Sequence, residues 1–262
     1  MSNSKFETLK NMNNSTSKYA KWVVRVLDPK VIHYTFTARQ EEVKASRFEC
    51  VLVSNKPKEY MLGVVNFKFA DRKAAEKAHK EFVANSVWII TKPIFDAKAN
   101  SVYNGCPVKT VLDMAKPTAC QQVPSTNEKE LEYPMTYIDV ELNLSKTIKL
   151  LSKMPMTRQT RSGSAKPPSK NVDICGKLLE LTEKKVVESG TRQLYAAEAV
   201  LADDSGGKVK VSVWDEANAL FEAVPLNDGV TLVNCTAVRD GAQVKINFWN
   251  SGHVLLNYVD TP

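Results

Sequence analysis

The sequence contains no apolar run approaching the ~20 residues that a membrane-spanning helix needs. Its longest candidates, such as Val230–Val233, are the size of a strand. Residues 1–17 are rich in Ser, Asn and Lys and lack the apolar stretch of a secretory signal, so the expectation is a flexible tail on a nuclear or cytoplasmic protein. The five cysteines, Cys50, Cys106, Cys120, Cys175 and Cys235, are widely spaced with no Cys-x-x-Cys pair. The three histidines, His33, His79 and His253, lie far apart in sequence, so neither a disulfide framework nor a zinc site is expected. Gly206-Gly207 and Ser162-Gly163-Ser164 are the Gly or Ser clusters, and neither has the spacing of a phosphate-binding loop. Asp203-Asp204 is an acidic pair of the kind that holds a divalent ion for phosphoryl transfer, but it sits among turn-forming residues, where a solvated turn is the simpler role. No histidine stands beside a plausible nucleophile. The expectation is a protein that is not an enzyme and holds no metal or cofactor.

What the chain does have is positive charge, unevenly placed. Its 262 residues carry a formal net charge of +7. Residues 1–112 hold 19 basic and 10 acidic side chains, residues 113–171 hold 9 and 6, and residues 172–262 hold 8 and 13. Attraction to a polyanion is therefore expected in the first part and the middle, because Lys and Arg neutralising phosphates dominate nucleic-acid affinity. Solubility alone is the competing explanation for such an excess.

The hydropathy pattern is mainly that of strands. β-Branched and aromatic runs at 22–27, 32–37, 47–54 and 61–67 precede an amphipathic stretch at 71–82, in which Ala74, Ala75, Ala78, His79 and Phe82 share one helical face. Two more strand-like runs follow at 87–95 and 108–112. Strands, one helix and two further strands form the order expected of a five-stranded Greek-key OB barrel. The order repeats, with strands at 172–181, 193–202 and 208–214, a short helix at 217–223, and strands at 230–238 and 243–249 joined across Asp240-Gly241. Two tandem barrels are expected, at 18–115 and 171–262. Between them lies a linker, 116–170, with a short helix near 142–151 and a basic Pro/Ser/Gly-rich stretch from 154, whose Arg158 and Arg161 suit either solvation or contact with a strand of nucleic acid.

Residues 172–221 read VDICGKLLEL and then LYAAEAVLADDSGGKVKVSVWDEANALF. This wording resembles an OB domain of the replication protein A large subunit, in which a Val-Asp-Ile start, an Asp-x-Ser-Gly hairpin and a Trp-containing third strand recur. In the first half, VWIITKPIFDAKANSVYN resembles the strand and turn after the helix in the preceding domain of that family. A tandem of this kind also resembles telomere end-binding proteins and plant OB-fold proteins of the same superfamily.

The resemblance implies binding of single-stranded DNA, or of RNA, with aromatic side chains stacking on bases. It places Phe67 and Tyr103 at the two stacking positions of the first domain and Trp214 at that of the second. The second domain's last hairpin, Arg239-Asp240-Gly241-Ala242, lacks the aromatic, for which Phe248 or Trp249 offers compensation. Core packing is the competing role for each ring, and Trp22, Phe82 and Trp88 are read as core. Candidate phosphate contacts in the first domain are Arg25, Arg39, Arg47, Lys92, Lys98 and Lys109, and in the second Lys177, Arg192 and Arg239. A second possibility is an interaction module, in which the acidic second domain meets a protein partner.

Overall fold

A computed structural model of the chain describes residues 21–38, 41–55, 59–65, 72–91, 94–95, 102–103, 106–107, 109–111, 119–124, 153, 158–159, 165–166, 169–189, 192–240 and 243–256. The protein is mainly β and divides into two compact units, Met1–Ile138 and Asp139–Pro262.

The first unit opens with β1 (Lys21–Ala38), β2 (Glu41–Val53) and β3 (Tyr60–Val65). The two runs expected at 22–27 and 32–37 are one strand. The register with β2 slips between Leu27 and Lys30, where Asp28 takes φ 43° and Pro29 has no N–H to give a ladder, so the strand bulges without ending. Helix α1 (Arg72–Glu81) follows, then β4 (Val87–Thr91) and β5 (Ile94–Phe95). Short strands β6 (Val102–Tyr103) and β7 (Cys106–Pro107) pair with each other, before β8 (Lys109–Val111) and β9 (Cys120–Gln122).

β1 pairs antiparallel with β2, β2 with β3, and β3 runs parallel to β8. β8 pairs with β5, which resumes two residues after β4, and β4 returns antiparallel to β1. The ladder therefore runs β5-β8-β3-β2-β1-β4. β9 adds to the far edge of β4, carrying the sheet beyond the expected end at 115.

Inside, α1 lays Ala75 and Ala78 against Trp22, Val24, Phe48 and Leu52. Phe82, just past the helix, packs between Phe48 and Trp88, at ring centroid distances of 5.6 and 4.2 Å. The core assignments of Trp22, Phe82 and Trp88 hold, and His79 shares their side of the helix, exposed but with its ring centroid 6.3 Å from that of Phe48.

In the expected linker, β10 (Arg158–Gln159) pairs with β11 (Ala165–Lys166), and the helix expected at 142–151 lies outside the described residues. The second unit's barrel comprises β12 (Ser169–Leu181), β13 (Lys185–Ser189), β14 (Arg192–Ala202), β15 (Lys208–Trp214), α2 (Ala217–Glu222), β16 (Gly229–Asp240), β17 (Gln243–Phe248) and β18 (His253–Leu256). β12 pairs with β14, β14 with β15, β15 runs parallel to β17, β17 pairs with β16, and β16 returns to β12. Here the pairings close into a cycle, and the strand order parallels that of the first unit, with a helix again following the third strand of the order. The order is consistent with the OB fold.

Two local sequences explain themselves in this barrel. In Val172-Asp173-Ile174 the β12–β16 register slips, and the Asp173 carboxylate accepts the Asn234 N–H at 2.7 Å, holding Asn234 at φ 67°. In the 203–207 turn the Asp203 carboxylate accepts bonds from the Ser205 N–H, the Ser205 hydroxyl and the Gly207 N–H at 3.1, 2.7 and 2.7 Å. Asp203 is thus consumed by its own turn, and no group of three or more potential metal ligands occurs among the described residues.

Candidate nucleic-acid interface

Alternate residues of a strand face opposite sides of a sheet, so the register separates the barrel's interior from its outer wall. On β15, Val209, Val211 and Val213 pack into the core with Ala199 and Leu201 of β14 and Ile246 and Phe248 of β17. The other side of β15 carries Lys208, Lys210, Ser212 and Trp214. Ser212 lies opposite Asn247, so Lys245, Asn247 and Trp249 continue the same outer side across the parallel pair.

The two tryptophans meet there. Trp214 and Trp249 stack with ring centroids 5.1 Å apart and planes inclined by 11°, both half-buried. The Trp214 indole N–H donates to the Asn247 side-chain oxygen at 2.9 Å, which fixes the ring's orientation. Lys210 donates to Glu198 at 2.7 Å, and that hydrogen bond raises its pKa above the usual lysine value. Lys208 and Lys245 are exposed along the same wall. A preset aromatic pair bordered by cations suits flat, electron-rich rings joined by a polyanionic backbone.

The expectation for Phe248 is corrected. Its ring is fully buried, edge-on to Phe221 at 5.4 Å, because it shares the inward side with Ile246. Trp249, one residue on, takes the outer position.

Other expected contacts are dispersed. Lys177 pairs with Asp204 at 3.1 Å, both well exposed, a kind of pair worth ~0–1 kcal/mol. Arg239 is half-buried on β16, and Arg192 begins β14. In the first unit, Arg25 donates to the Asn85 carbonyl at 2.7 Å. Arg47 pairs with Glu49 at 2.8 Å while its guanidinium lies 5.3 Å from the Tyr34 ring centre. Tyr103 and Lys109 are on β6 and β8, the former in the hairpin that links β5 to β8, and Arg158 is on β10. Phe67, Arg39, Lys92, Lys98 and Arg161 lie outside the described residues.

Among the described residues of the first unit, Tyr34 is an exposed aromatic with Arg47 over its ring, and β3 carries no counterpart of the tryptophan pair. Every residue of β3 is buried, including Leu62 and Val64, whose β2 partners Val51 and Glu49 are buried as well. The half-buried, stacked tryptophan pair belongs to the second, more acidic unit. The pairing of β17 with β15 puts Lys245, Asn247 and Trp249 on this wall and turns Val244, Ile246 and Phe248 inward, a choice the sequence left open between Phe248 and Trp249.

No family model and no curated protein matches the chain. Solved structures do resemble it. A replication protein A heterotrimer bound to ssDNA shares 14% identity at a TM-score of 0.50, over 98% of this chain and 52% of that one, so this chain spans about half its length. The Ifi202 HINa domain in complex with 20-bp dsDNA shares 12% at 0.43, over 90% of this chain and 95% of that one. The OB domain of Ta0387 from Thermoplasma acidophilum shares 17% at 0.28, over 35% and 79%. Of these three, the first bears on the fold, and it agrees with the mainly β architecture traced above.

Proposed function

We propose that the chain is a replication protein A-like tandem OB-fold protein that binds single-stranded DNA and catalyses no reaction. The carrying observation is the Trp214–Trp249 stack, pinned by Asn247 on a wall that also bears Lys208 and Lys245. The outer face of the second and third strands is where OB folds take oligonucleotides, and here those strands are β14 and β15. Stacking on a base needs an exposed π-face, which a duplex interior withholds, so the reading selects single strands. The structural likeness to a protein bound to ssDNA is in accord with it. A nuclear role in replication, repair or telomere protection follows from the same reading.

The first unit and the basic middle segment supply long-range attraction, and the second unit supplies the stack. Labelled oligothymidylate titrated with the full chain at several salt concentrations tests this. Binding that weakens steeply with salt and quenches tryptophan fluorescence is expected. Binding with no change in tryptophan emission would contradict it.

A further inference from the structure

The side of the β13–β14 hairpin that turns away from Trp214 has a different chemistry. Ala196 pairs with Trp214, so its neighbour Tyr195 faces the opposite side of the sheet. Across the hairpin Tyr195 pairs with Val186, and the two side chains are 49% and 55% exposed. Together they leave an aromatic ring and a β-branched side chain side by side and open to solvent.

Tyr195 is held rigidly. Its carbonyl accepts the Asp215 N–H at 2.7 Å and its N–H donates to the Asp215 carboxylate at 2.9 Å. The Asn218 side-chain amide adds a third bond to the carbonyl at 3.3 Å. An exposed aromatic on a fixed backbone loses little freedom on binding.

Beside the ring opens a cleft of about 370 Å³ lined by Lys184, Tyr195, Asp215 and Glu216. Its one lysine is neutralised by Glu222 at 2.5 Å. Glu188, two residues beyond Val186, adds another carboxylate on this side, whereas Lys185 pairs with Ala196 and so shares the Trp214 side. The cleft therefore carries an acidic surplus that repels phosphate and attracts cations.

We infer that this cleft is a docking site for a short basic peptide of a partner protein, one apolar side chain resting on Tyr195 and Val186 with flanking Lys or Arg meeting Glu216 and Glu188. The barrel would then hold nucleic acid on one wall and a protein on the other. The inference does not depend on the nucleic-acid reading.

The test uses an array of short peptides with a central Leu, Phe or Trp flanked by Lys and Arg, and the same cores flanked by Glu. The best binder is labelled and titrated with the full chain and with Tyr195→Ala and Glu216→Lys, alongside oligothymidylate. Basic-flanked peptides should bind in preference to Glu-flanked ones. Each variant should weaken the peptide by roughly tenfold or more, the scale of a truncated anchor; Tyr195→Ala should leave oligothymidylate affinity unchanged, and Glu216→Lys, which adds positive charge, should not lower it. Three results would overturn the inference: no preference for basic flanks, peptide binding that survives both variants, or oligothymidylate binding lost in Tyr195→Ala. The last would assign the hairpin to the nucleic acid.

Discussion

Replacing Trp214 with Ala removes three things at once: an indole face, the stacking partner of Trp249 at 5.1 Å, and the N–H that occupies the Asn247 oxygen at 2.9 Å. Alanine substitution of a base-stacking aromatic costs ~1–3 kcal/mol per base, or about 5- to 150-fold in affinity. The upper half of that range applies here, because Trp249 loses its orientation together with its neighbour. The side chain is half-buried at the end of β15, outside the central core, so the barrel should still fold. No phosphate contact is removed, so the slope of log affinity against log salt should stay as in the wild type while the whole line drops. Fluorescence anisotropy with labelled oligothymidylate at several salt concentrations reads both quantities, and circular dichroism checks the fold. Trp214→Phe keeps a ring but not the indole N–H, and should fall between wild type and Trp214→Ala. A folded Trp214→Ala protein that binds as tightly as wild type would refute the stacking platform.

Lys208→Gln should do the opposite, reducing the magnitude of the salt slope by ~0.7 for one lost phosphate contact on a single strand; an unchanged slope would remove Lys208 from the interface. Phe248→Ala should destabilise the second unit by ~3–5 kcal/mol, as truncation of a fully buried Phe does, seen as a lowered thermal midpoint. A near-normal midpoint would contradict its place against Phe221. Burial pushes the Cys50 and Cys235 thiols well above their usual pKa, so both should resist iodoacetamide in the native protein and react once it is unfolded. Mass spectrometry of the labelled peptides checks this, and rapid native labelling of Cys235 would count against the packed barrel.

Much of the strand and helix order was legible in the sequence, because turn-forming clusters such as residues 203–207 separate runs with a clear period. What escaped had weaker local signals. The β-bulge at Asp28-Pro29 resembles a strand end until the pairing with β2 is known. β13 is five residues with charges near both ends, and β18 is four residues that begin on a buried histidine, so neither stands out from a loop.

At the site, Trp214 was legible and its partner was not fixed, because a run ending Phe248-Trp249 gives an inward and an outward ring without saying which is which. The parity of β17 decides it. Charge pointed to the first part of the chain, yet β3 there is buried along its whole length. Net charge reports long-range attraction, whereas a stacking surface depends on which strand faces remain uncovered. Arg25 and Arg47 illustrate the same gap, since one is tied to a carbonyl and the other to Glu49.

The central claim is that the chain prefers an unpaired strand because bases must reach the Trp214–Trp249 platform. Competition between a labelled single strand and an unlabelled duplex of the same sequence and length, at one fixed salt concentration, tests it most directly. The account predicts that the duplex displaces the single strand only at roughly tenfold excess or more, since the stacking energy of about one base is denied to it. Displacement at equal concentration would contradict it.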